Sequence, residues 1–249
     1  MDKISNALNG KKANIGYIVG GYPSVEHTKE FLANLDASCL DLLEIGIPYS
    51  DPLADGKVIT KASFSATQRG LNTDSIFEIL SECKGKFNKP IAFLVYFNLV
   101  FAYGIEKFIK KAKECGVSGM IVPDLPSEES GEVFAICQSE NFALIPLISV
   151  TSGERISEIL SRASGFVYAV GAIGVSGSKR ASTERLKELV KNAKNFTNLP
   201  VCVGFGVRNR DDANEVKSYA DGAIIGTAIV ELADKFSGDE LMRKVSELF

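Results

Sequence analysis

A chain of 249 residues that is 45% hydrophobic can bury one large core, and it shows no Gly-, Pro- or Ser-rich linker and no block of like charges that would mark a disordered tail. A formal net charge of −3 offers no global attraction to nucleic acid or an anionic membrane surface, and no run of eighteen apolar residues suggests a membrane span. Residues 1–249 are therefore expected to form one domain, and barrels routinely reach this size as one.

The amino-terminal stretch "MDKISNALNGKKANIGYIVG" has neither a long apolar region nor a small-residue cleavage pattern, so a cytoplasmic protein is expected. The first β-rich run, "NIGYIVG" near Ile15, is followed by the helical segment "SVEHTKEFLANL". His27 lies at the start of that helix and is expected on the surface; as the only histidine it argues against His-based triads and multi-histidine metal sites. Further runs follow in order: "LDLLEIG" near Leu40, "IAFLVY" near Ile91, "SGMIVP" near Ser118, "FALIPLI" near Phe142, "GFVYAV" near Gly165, "PVCVGF" near Pro200 and "DGAIIG" near Asp221.

Between these eight runs lie amphipathic segments such as "EKFIKKAKECG", "SEESGEVFAICQSEN" and "TERLKELVKNAKN", with apolar residues three and four apart. Runs that are apolar nearly throughout predict strands buried on both faces, and regular alternation with helices requires parallel strands joined by crossovers. Eight such units predict an α/β fold, a single (β/α)8 TIM barrel. An open doubly wound sheet is the alternative, weakened because the first crossover carries no G-x-G-x-x-G. Cys39, Cys83, Cys115, Cys137 and Cys202 form no C-x-x-C pair and are expected to be reduced thiols rather than disulfides or zinc ligands.

The longest intervals follow the second and sixth runs, which predicts extended loops there, both opening on the carboxyl-terminal face where barrel enzymes keep their chemistry. The first expansion begins with "EIGIPYSDPLADG". Alternation points Glu44 into the barrel, where desolvation raises its pKa towards the range useful for proton transfer near neutrality. Pairing with a buried Lys or Arg is the structural alternative, but no strand segment holds a basic partner. Spacing alone does not separate Asp51 from Asp55, since Asp before Pro and Asp before Gly are also ordinary turn residues.

Towards the carboxyl terminus, "GVSG" follows run six, "GFG" ends run seven, and "IGTAIVE" leads from run eight into a short helix. Glycines permit close backbone approach and Thr227 supplies a hydroxyl, so these loops together predict a phosphate cradle.

The series "EIGIPYSDPLADG", "IVPDLPSEES", "GVSG", "GFGV" and "GAIIGTAIVE", in that order and across essentially the whole chain, resembles the alpha subunits of tryptophan synthase. The resemblance implies a (β/α)8 barrel that cleaves indole-3-glycerol phosphate to indole and glyceraldehyde 3-phosphate, with Glu44 and Asp55 catalytic and Asp51 shaping the loop. It implies Tyr168 beside the catalytic glutamate, Tyr17 and Phe205 flanking the indole, and Ser176, Gly177, Gly206, Gly226 and Thr227 in the phosphate loops. Tyr168 and Phe205 fit barrel packing equally well. The resemblance further implies no metal and no cofactor in this chain, and a pyridoxal-phosphate beta subunit as partner in an αββα heterotetramer. Asn98 and Asp124 match positions near that contact, and also suit a turn cap and a helix start. The chain departs from the family pattern at Ser176 and at Thr227, where threonine and serine respectively are usual, and at Ala172, in a stretch where the family carries arginine. Two rival functions remain open: another phosphate-handling barrel enzyme, such as a sugar-phosphate isomerase or epimerase, and a catalytically silent barrel that activates a beta subunit.

Overall fold

The eight apolar runs become parallel strands separated by helices. In the computed structural model, which describes residues 2–53, 55–171, 182–204 and 206–249, the elements run α1 (Lys3–Leu8), β1 (Ala13–Val19), α2 (Val25–Ala33), β2 (Leu42–Gly46), α3 (Lys57–Gln68), α4 (Thr73–Glu82), β3 (Ile91–Leu94), α5 (Phe97–Tyr103), α6 (Ile105–Glu114), β4 (Gly119–Ile121), α7 (Gly131–Ser139), β5 (Ala143–Ile145), β6 (Leu147–Ser149), α8 (Ile156–Ser161), β7 (Val167–Val170), α9 (Thr183–Ala193), β8 (Val201–Gly204), α10 (Arg210–Lys217), β9 (Gly222–Ile225), α11 (Thr227–Ala233) and α12 (Gly238–Ser246). Among the described residues, no helix is long and apolar enough to cross a membrane.

The sheet has nine strands where eight runs were expected, because "FALIPLI" is divided at Pro146. Proline has no N–H to give to a ladder, so the run bends there. β5 pairs with β4, and β6 pairs with β7. The strand order β5-β4-β3-β2-β1-β9-β8-β7-β6 therefore has its two ends on either side of one proline, and the chain itself nearly closes the TIM barrel. The carbonyl of Pro146 accepts from the N–H of Tyr168 at 3.0 Å, which holds the bend against β7.

Alternation separates two cores. Ile15, Leu42, Ala92, Ile121, Tyr168, Cys202 and Ile224 fill the barrel interior, while Leu43, Ile45, Phe93, Met120, Val167, Val203 and Ile225 face the surrounding helices. α1, which periodicity did not single out, supplies Ile4 and Leu8 to the interior cluster. Its position is fixed by Asp2, whose carboxylate accepts from the N–H groups of Ile4, Ser5 and Gly165. On α2 the helix cap Ser24 lies 3.3 Å from Nδ1 of His27, which is half-buried rather than on the open surface as expected.

The expansion after β2 is not one long loop. It comprises residues 47–56, then α3 and an additional helix α4. The sixth-unit expansion runs from Gly171 to the α9 cap Ser182, and residues 172–181 of it lie outside the described residues.

Candidate active site

Glu44 is the third residue of β2, between Leu43 and Ile45 on the outer face, so alternation puts its side chain inside the barrel, where it is fully buried. Neither carboxylate oxygen has a hydrogen-bond partner among the described residues. Burial with no compensating donor pushes its pKa up to about 8, so at neutral pH the carboxyl is mostly protonated and close to the point of exchange. A buried carboxylate without a partner is a poor stability device, which removes the structural alternative of a Lys or Arg pair.

Asp55 reaches the same cavity from the loop before α3. That loop is pinned by Ser63 of α3, whose hydroxyl accepts from the N–H of Tyr49 at 2.8 Å and donates to its carbonyl at 2.9 Å. Burial raises the Asp55 pKa, and a hydrogen bond from the hydroxyl of Tyr96 at 3.0 Å opposes the rise. The two carboxyls thus differ in one physical respect, the presence of a donor. Asp51 behaves otherwise: it is exposed, and its carboxylate accepts from its neighbour Ser50 at 2.5 Å.

Two tyrosines frame Glu44. Tyr17 is its register partner on β1, and Tyr168 projects from β7 into the interior cluster. Each phenol occupies the space above a glycine: a Cβ on Gly46 would meet the Tyr17 hydroxyl at 2.1 Å, and one on Gly204 would meet the Tyr168 hydroxyl at 2.3 Å. Those strand ends carry glycine because the rings lie where side chains would be. Burial raises both phenol pKa values well above the ordinary value, so both stay protonated.

The cavity, about 480 Å³, brings Tyr17, Glu44, Asp55, Tyr168, Gly206, Gly226 and Thr227 together. Its lining includes the apolar side chains of Ile59, Leu94 and Ile224, which suit a flat aromatic group. Among the lining glycines, Gly206 has φ +89, a backbone state favouring glycine. Gly226 approaches the Tyr17 ring so closely that a Cβ would lie 3.2 Å from it, and Thr227 opens α11. Ser176, Gly177, Phe205 and Ala172 lie outside the described residues.

Three lining or neighbouring groups escaped sequence reasoning. Tyr96 follows β3 and is 3% exposed. Lys57 and Arg208 are the cations lining the cavity among the described residues. One terminal nitrogen of Arg208 is shared between both carboxylate oxygens of Glu231, at 3.2 and 3.1 Å. Arg208 stands four residues beyond Gly204, the last residue of β8, and an arginine that close to a glycine-bearing strand end is a usable signal for anion binding. Asp124 caps the start of α5, accepting from the N–H of Phe97 at 2.8 Å, and Asn98 is exposed on that helix. No group of three or more His, Cys, Asp or Glu among the described residues is arranged to hold a metal ion.

Two buried acid groups, one with a hydrogen-bond donor and one without, together with apolar and glycine-bearing lining on one cavity suit the cleavage of a bond beside an aromatic ring on a phosphorylated chain. Comparison with known proteins agrees. Residues 4–248 match the family model described as tryptophan synthase alpha chain. A tryptophan synthase alpha chain of Campylobacter jejuni strain 81-176 is 42% identical over 240 residues, covering 96% of each chain. Among solved structures, the tryptophan synthase subunit alpha of C. jejuni superposes with a TM-score of 0.88 at 42% identity, covering 97% of each chain. A tryptophan synthase complex from Pyrococcus furiosus contains a chain that matches with a TM-score of 0.85 at 30% identity, covering 100% of this chain and 99% of that one. With its motifs, its barrel and its cavity in agreement with a match along nearly the whole sequence, the chain belongs to the tryptophan synthase alpha chain family.

Proposed function

We infer that Glu44 and Asp55 divide the chemistry of one retro-aldol cleavage, that of indole-3-glycerol phosphate into indole and glyceraldehyde 3-phosphate. This is the alpha reaction of tryptophan biosynthesis, a carbon–carbon lyase step, and it is the reaction of this chain. The observation that carries the division is the split between the two carboxyls: Glu44 is buried with no donor and titrates at about 8, while Asp55 accepts a hydrogen bond from Tyr96.

The steps assign the proton to Glu44 and the charge to Asp55. Protonated Glu44 gives its proton to ring carbon C3, and the ring nitrogen becomes cationic. Ionised Asp55 accepts the hydrogen bond from the ring N–H and stabilises that charge. Glu44, now a carboxylate, takes the proton of the hydroxyl on the adjacent chain carbon; the bond between ring and chain breaks, and its electron pair returns to the ring. Indole and an aldehyde result, and Glu44 ends with the proton it began with. Neither a metal nor a cofactor in this chain is required by these steps. Tyr17 and Tyr168 wall the ring and, as neutral phenols, add no competing charge.

The phosphate lies in this reading against Gly206, Gly226 and Thr227; the resemblance assigns Ser176 and Gly177 to the same group and Phe205 to the indole, all three outside the described residues. Arg208 lines the same cavity and contributes countercharge. Arg208→Ala is expected to raise KM for indole-3-glycerol phosphate about fivefold with kcat unchanged, an effect that shrinks as ionic strength rises. Equal KM values for the two proteins at low salt would assign Arg208 to its surface pair with Glu231.

We further infer a beta subunit that carries pyridoxal phosphate, in an αββα assembly. Exposed Leu53 on the loop after β2 and Phe101 on α5 offer apolar contact to such a partner. The deciding experiment is indole release from indole-3-glycerol phosphate by the purified chain, alone and with a tryptophan synthase beta subunit. Release that rises with the partner supports both readings. Folded protein that binds the beta subunit without releasing indole favours a silent activator, and turnover of a sugar phosphate without indole favours an isomerase.

A further inference from the structure

Asp55 stands on a segment without regular structure, whereas the chemistry assigned to it requires a fixed position. The loop is tied to α3 through Ser63, but that contact is made at Tyr49, six residues before the carboxylate. Closer to Asp55, the hydroxyl of Thr60 reaches its carbonyl at 3.4 Å, which leaves the side chain free to turn. The one hydrogen bond to the carboxylate among the described residues comes from Tyr96.

Tyr96 is well placed to be the fixed end of that bond. It lies two residues beyond the end of β3, its ring is buried, and it packs tilted against Tyr49 with centroids 5.2 Å apart. The next N–H, that of Phe97, is held by Asp124 at 2.8 Å, which ties the Tyr96 backbone to the segment after β4. A carboxylate carried by a loop is thus fastened to the barrel rim through one phenol whose ring and backbone are both anchored.

We propose that Tyr96 is a positioning residue for the cleavage, its hydroxyl holding the Asp55 carboxylate oriented and ionised to receive the indole N–H. The proposal rests on the reading of Asp55 given above. The titratable and charged groups that share the cavity with Asp55 are Tyr17 of β1, Glu44 of β2, Lys57 of α3, Tyr168 of β7, Arg208 and Glu231 of α11. The hydroxyl of Tyr96 is what opposes the upward pull of burial on Asp55. Without it, Asp55 drifts towards the neutral, unpartnered condition of Glu44, and a neutral carboxyl stabilises a cationic ring poorly.

The test is Tyr96→Phe, which keeps the ring packed on Tyr49, assayed for indole release in the presence of the beta subunit. We expect kcat/KM to fall roughly 10- to 100-fold, the range of one hydrogen bond to a charged group. The acidic limb of the pH profile should move to higher pH, and Tyr96→Phe should cause no further loss in an Asp55→Asn background. A merely structural role would lower stability to urea, leave the acidic limb in place, and slow Asp55→Asn by the same factor as wild type; that result overturns the proposal. If Asp55→Asn alone releases indole at the wild-type rate, the reading of Asp55 falls and the proposal with it, whereas an inactive Asp55→Asn with an unmoved limb in Tyr96→Phe removes only the positioning role.

Discussion

Glu44→Gln is expected to lower kcat for indole release by about 10⁴-fold, the upper end of what one acid–base group contributes, because the same carboxyl both gives and takes a proton in each turnover. Gln has nearly the same size and shape and no proton to exchange. The glycine-rich end of the cavity rests on the segments after β8 and β9 and on α11, away from β2, so the dissociation constant of glyceraldehyde 3-phosphate should change less than twofold. Titration of the variant with that product, alongside single-turnover release of indole, separates the two outcomes. Parallel loss of binding and turnover would make Glu44 a structural residue. Asp55→Asn should be milder, about 10²- to 10³-fold in kcat, since an amide oxygen still accepts the ring N–H and only the charge is lost.

What was legible in the sequence was whatever local chemistry dictates. Apolar strand runs and intervening helices follow from burial on both faces of a parallel sheet, and those predicted the barrel. Glu44 was legible because a single carboxylate interrupts an otherwise apolar strand, and strand alternation gives its direction. Asp55 was not separable from Asp51 by spacing, since turn propensity treats both alike; exposure and the Tyr96 hydrogen bond separate them. Tyr96 and Arg208 escaped because their meaning lies in partners 41 and 23 residues away, Asp55 and Glu231, which no local pattern encodes. The division at Pro146 was present in the letters, since a proline inside an apolar run breaks the ladder, but the apolar residues on both sides give the run the pattern of a single strand. α1 was missed for another reason: a six-residue helix has too few turns to show a period, and its two buried side chains matter only once the barrel exists to receive them.

The same carboxyl that carries the chemistry should weaken the fold, and pH reveals by how much. The pKa of Glu44 rises from 4.5 to about 8 on folding because the charged form loses its solvation and gains no donor. The folded state then binds more protons than the unfolded state between these two values, so stability falls as pH rises through that window. The favourable contribution is complete below pH 4.5 and is gone once pH passes about 8. At about 1.4 kcal/mol per pKa unit, the rise from 4.5 to about 8 corresponds to roughly 5 kcal/mol. Glu44→Gln removes the titration while keeping a buried polar group of the same size, so the difference between the two proteins isolates this one carboxyl and cancels Asp55, the tyrosines and every surface pair. Urea denaturation of both should give similar free energies near pH 5, with the variant gaining on wild type by roughly 4 kcal/mol by about pH 8.5. A constant gap across that range would mean that Glu44 ionises at an ordinary pKa, which would also remove the ground for its protonation of C3. A gap that opens as expected ties the two results together: a proton held near neutrality by burial is available to the reaction, and holding it there without a partner lowers the stability of the barrel.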